Sequence, residues 1–94
     1  MNMTILPPNL AAAACRHYGI ESRLDLLQEE MSKAITAISH YRRGRAGCRD
    51  ELAEELADVL IVMDQILQTE WSAEVEAWVA HKRGRLAERM RAWE

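Results

Sequence analysis

Two acidic groups, Glu29-Glu30 and Glu54-Glu55-Leu56-Ala57-Asp58, stand about two dozen residues apart in this 94-residue chain. Each lies inside a segment whose apolar residues recur at helical spacing. Like charges three or four residues apart on one helix face repel, by about 0.2–0.5 kcal/mol per pair in isolation. A helix that keeps several carboxylates past its first turn therefore has a use for a cation. Oxygen-only ligand sets suit Mg²⁺ (or Mn²⁺), which keeps several waters and characteristically bridges carboxylates to substrate phosphates. The chemistry these residues suggest is metal-assisted attack of water on phosphorus.

Four helices are expected to position them. Pro7-Pro8-Asn9 closes an N-terminal arm (residues 1–9), and Asn9 is placed to cap a short helix from Leu10 to about Tyr18, which Gly19 ends. A long helix from about Glu21 to Tyr41 carries Leu24, Leu27, Met31, Ile35 and Ile38 as its core stripe. The segment Arg42–Arg49, with two glycines and four arginines, reads as a loop. Asp50 is expected to cap a third helix from Glu51 to about Gln68, with Leu52, Leu56, Val59, Leu60, Met63, Ile66 and Leu67 inward. Ser72 is expected to cap a fourth helix running to the C-terminus, with Val75, Val79, Leu86, Met90 and Trp93 inward. Strand signals are missing, so the expected class is all-α: one helical-bundle domain, residues 1–94.

At about 100° per residue, Glu29 points away from the core stripe, while Glu30 lies at its edge beside Leu26, Leu27, Ala34 and Ala37. A carboxylate in that company needs a partner or a metal, so Glu30 is the expected ligand and Glu29 a solvated or outer carboxylate. On the third helix Glu51, Glu55 and Asp58 form one ridge with Glu54 beside it. The helix macrodipole accounts for acids in the first turn but not for Asp58, two turns in. Val59-Leu60-Ile61-Val62-Met63 is apolar nearly all round, which places it inside the bundle or against a second subunit. From these residues alone two readings stay open: a metal site, or an acidic face satisfied by arginines.

Composition narrows the classes. Apolar residues make up 49% of the chain, enough for a core that a second copy would enlarge. A net charge of −3 argues against a general nucleic-acid binder. No segment approaches a membrane span, and Leu10–Cys15 is not preceded by the basic residues of a signal peptide. Cys15 and Cys48, without metal-ligand spacing, read as free thiols of a reducing, cytoplasmic compartment.

The motif residues and their flanks resemble the MazG-like family of all-α nucleoside triphosphate pyrophosphohydrolases. That family's signature is Glu-Glu-x-x-Glu, a spacer, then Glu-x-x-Asp. Here it reads Glu29-Glu30-Met31-Ser32-Lys33 and Glu55-Leu56-Ala57-Asp58. Gly19–Leu24, Ala37–Gly44 and Glu54–Gln65 also resemble the small phage and bacterial members, and the likeness spans roughly Tyr18 to Met90. It implies hydrolysis of a ribo- or deoxyribonucleoside triphosphate to the monophosphate and pyrophosphate, with Mg²⁺, in a dimer or tetramer that completes four-helix cores between subunits. Carried over by position, Glu30, Glu55 and Asp58 would be the metal-holding catalytic residues. Lys82 and Arg85 are similar to a basic pair near the end of such domains, and with Arg42 and Arg43 are candidates for the substrate phosphates.

One position departs from the signature: Lys33 stands where the family has a ligand Glu. An ammonium cannot bind Mg²⁺. Three outcomes are open. The site holds one metal on three carboxylates, with Lys33 turned towards Glu29 or contacting phosphate; Glu51 or Glu54 substitutes as a ligand; or the chain is a helical assembly or nucleotide-binding protein that has lost the chemistry.

Overall fold

The computed structural model describes residues 5–93, and the first four residues of the expected arm lie outside them. Among the described residues every element is helical: α1 Pro8–Tyr18, α2 Ile20–Arg42, α3 Cys48–Leu67 and α4 Ser72–Ala92.

Three expected caps are corrected. Pro7 precedes α1 and Pro8 takes its first position, where a missing N–H costs nothing, so Asn9 lies inside the helix. Gly47, in the left-handed region at φ 73°, opens α3, which places Asp50 and Glu51 in its first turn. Trp71 opens α4 at φ 59°, and Ser72 is already helical with no side-chain cap. Gly19 ends α1 as expected: at φ 85° and ψ 152° it donates to Cys15 O at 2.8 Å, while its own carbonyl accepts the first bond of α2 from Arg23 N–H. That backbone conformation is essentially glycine-only.

The main interface is an antiparallel α2/α3 hairpin, with α1 laid against both. Arg23 Nη1 donates to Gln65 Oε1 at 3.2 Å at one end, and His40 Nδ1 donates to Glu51 Oε2 at 2.7 Å at the other. Between these lie Ala34 and Ala37 of α2, small enough to admit α3, together with Val62, and Ile66 is buried just beyond Gln65. Ala11 and Cys15 seat α1. Its entry is tied down by Leu6 N–H donating to Asp64 Oδ2, and the Thr69 hydroxyl sits 3.2 Å from Cys15 Sγ.

The expected core stripes are largely not the buried ones. Arg23, Glu30, Ala34 and Ala37 face α3, whereas Met31, Ile38 and especially Ile35, at 68% exposure, face outward. On α3, Ile66 is buried but Leu56 and Leu60 are exposed. Val79, Leu86 and Met90 of α4 and Trp93 at its C-cap are exposed as well, and α4 buries no residue. The reason is geometric. At about 100° per residue, the apolar stripes of α2 and α3 are both turned in the same rotational sense from the shared interface. In an antiparallel pair equal senses bring both stripes to one side of the hairpin. Met31, Ile35, Ile38, Leu56 and Leu60 thus form one apolar side that no element among the described residues covers.

No helix among the described residues is long and apolar enough to cross a membrane.

Candidate metal centre

Glu30 sits mid-way along α2 in the row that faces α3, and is 7% exposed. Glu55 and Asp58, one turn apart on α3, meet it across the hairpin. One carboxylate oxygen from each of the three lies within 4.8 Å of the others. Glu30 Oε2 and Glu55 Oε2 are buried and have no hydrogen-bond partner among the described residues. An oxygen in that position has given up its hydration with nothing in the chain to replace it. Desolvation, then the neighbouring Asp58 and Glu30 charges, raises the Glu55 carboxyl above its ordinary value; Lys33 pulls it the other way.

Lys33 reaches two carboxylates at once. Its Nζ lies 3.4 Å from Glu29 Oε1 and 3.4 Å from Glu30 Oε1. The hydrogen bond it donates to Glu29, then that to Glu30, and the charges of both hold the ammonium above its ordinary pKa. Lys33 is turned towards Glu29, as helix geometry suggests, yet keeps hold of one Glu30 oxygen and leaves the other orphaned.

The remaining sequence candidates divide. Glu51 is engaged by His40, and with Ser32, Lys33, Thr36 and Glu55 it lines an open groove of about 280 Å³ beside the triad. Glu29 and Glu54 are exposed. Arg42 and Arg43 lie exposed at the end of α2, and Lys82 and Arg85 lie exposed on α4, with Lys82 Nζ 5.9 Å over the Trp78 ring. Among the described residues none of these four cations is ion-paired with the triad, and no arginine satisfies its carboxylates. A larger open depression over Gly47, Cys48, Arg49, Asp50 and Ala53 contains no triad member.

Two arrangements escaped the sequence. The turn between α2 and α3 folds Glu51 back onto His40, and their separation of eleven positions carries no periodic signal. Arg23 is buried against Gln65 with its guanidinium 4.1 Å from the Tyr18 ring. Cys15 and Cys48 are free thiols.

No family model matches the chain, and no curated protein or solved structure gives a significant match.

Proposed function

We propose that this chain is a Mg²⁺-dependent nucleoside triphosphate pyrophosphohydrolase of MazG-like type, acting on cytoplasmic nucleotide pools. One observation carries the reading: Glu30, Glu55 and Asp58 converge within 4.8 Å, with a buried, partnerless oxygen on both Glu30 and Glu55. All-oxygen donors of this kind fit Mg²⁺ or Mn²⁺. Glu30, Glu55 and Asp58 would hold the ion, whose contribution is to neutralise polyphosphate charge and fix the geometry of in-line attack. The groove of Ser32, Lys33, Thr36 and Glu51 lies open beside the triad, where a phosphate chain would meet the Lys33 ammonium. The hairpin walls shield Glu30 from water, so charge in the site acts through a weaker screen than bulk solvent. The apolar side made by Met31, Ile35, Ile38, Leu56 and Leu60, and an α4 with no buried residue, support self-association as a dimer or tetramer.

A second reading is favoured by one distance. Lys33 Nζ at 3.4 Å from Glu30 Oε1 puts a fixed cation against the ligand set, as in an assembly or nucleotide-binding protein that has lost catalysis. Pyrophosphate release from a panel of ribo- and deoxyribonucleoside triphosphates, with Mg²⁺ or Mn²⁺ and with EDTA, separates the two. Metal-dependent release is expected. Silence in the wild type with activity in Lys33→Glu selects the second reading, and silence in both overturns the enzyme.

A further inference from the structure

We propose that Lys33 is a built-in cation that limits this acidic site to a single divalent ion. The inference rests on the reading of Glu30, Glu55 and Asp58 as a metal centre. Its own support is how the two Glu30 oxygens are used.

Oε1 is taken by Lys33 Nζ at 3.4 Å, and the same ammonium is 3.4 Å from Glu29 Oε1. Oε2 is buried and has no partner. The carboxylate is thus divided between a cation the chain supplies and a position it leaves to be filled. Glu55 repeats the second half of this pattern, with a buried Oε2 and no hydrogen bond to it.

Paired metals in phosphoryl-transfer sites stand about 3.5–4 Å apart and share a bridging carboxylate. Beside an ion held by Glu30, Glu55 and Asp58, a second would draw on the outer side of Glu30 and on Glu29. Those are the two carboxylates that Lys33 holds. Its half-exposed side chain lines the groove with Ser32 and Thr36, so the ammonium occupies the outer cation position itself and faces the space where phosphates would enter. Three carboxylates suffice for one octahedral ion that keeps its remaining waters. A second divalent ion would meet a positive charge at contact distance.

Mn²⁺ binding to the full-length chain, counted by the electron paramagnetic resonance of free ion and by calorimetry, tests this on wild type, Lys33→Glu and Lys33→Met. One ion per chain is expected for wild type and two for Lys33→Glu. Lys33→Met, which removes the charge and adds no ligand, is expected to hold the ion about tenfold more tightly, the scale of losing one well-screened repulsion at a few ångströms. Two ions in wild type, or one in both wild type and Lys33→Glu, would overturn the role of Lys33 and leave the metal centre standing. No Mn²⁺ in wild type overturns the metal centre and this inference with it. Should Lys33→Glu fail to fold by circular dichroism, Lys33→Met decides: unchanged affinity refutes the inference.

Discussion

Glu30 and Lys33, one turn apart on α2, are joined through a single carboxylate oxygen at 3.4 Å, while the other oxygen of Glu30 lies buried without a partner. The salt bridge is therefore incomplete where it is most desolvated. A structural ion pair would be expected to satisfy both oxygens, because the penalty of burial falls on the whole carboxylate. The arrangement instead leaves the inner half open towards Glu55 and Asp58.

Replacing Glu55 and Asp58 together by Ala should reduce metal-dependent pyrophosphate release by at least about 100-fold, the scale of losing electrostatic stabilisation of a developing charge. Helicity should persist, since alanine is the strongest helix former and the Glu55 carboxylate is held where its charge is disfavoured. Retained hydrolysis in a folded double variant would remove the triad from the mechanism.

Glu55→Gln should raise the melting temperature of the metal-free protein at neutral pH. The folded-state pKa of Glu55 is above its ordinary value near 4.5, so its ionised form opposes folding. That cost is fully present above the raised pKa, shrinks as pH falls through it, and vanishes below the ordinary value. The advantage of the variant should fade over the same window in melts recorded across pH. Added Mg²⁺ should stabilise wild type and not the variant; equal responses would contradict the assignment.

Ile35→Glu places a charge at the most exposed point of the apolar side of the hairpin. Sedimentation velocity should show the wild type as a dimer or larger and this variant as a monomer at the same concentration. A monomeric wild type would sink the self-association.

Gly19→Ala should cost about 1–3 kcal/mol of stability, the range for a side chain forced into that backbone region. Nothing lies within 4 Å of the added methyl, so the cost is backbone strain with no steric part. Urea unfolding reads it directly, and a change below about 0.5 kcal/mol would show that the α1–α2 junction adopts another conformation.

The helices themselves were legible, because periodic apolar residues and Gly19 mark them locally. Their beginnings were less so: Asn9, Asp50 and Ser72 have capping chemistry, but Pro8, Gly47 and Trp71 set the entries through backbone geometry. Periodicity identified the apolar stripe of Met31, Ile35 and Ile38 without revealing that no described element packs against it. Helical spacing put Glu30 at the edge of its stripe and Glu55 and Asp58 on one ridge, but only the family resemblance joined the three into one set, and residue spacing alone left an arginine-satisfied face equally open. Lys33 was half legible. Steps of three and four residues predict its reach to Glu30 and Glu29, but not that a buried oxygen would be left over. The His40–Glu51 contact depends on how a five-residue turn closes, which no spacing rule encodes.

The isolation of α4 has a consequence for how the molecule responds to dilution. A helix of 21 residues with none buried is held by its own backbone hydrogen bonds, and such helices are marginal in water. Its amides should exchange with solvent far faster than those of the α2/α3 hairpin in a dilute sample. If another copy supplies the missing contact, order in the last quarter of the chain becomes a mass-action quantity, rising with protein concentration while the hairpin stays unchanged.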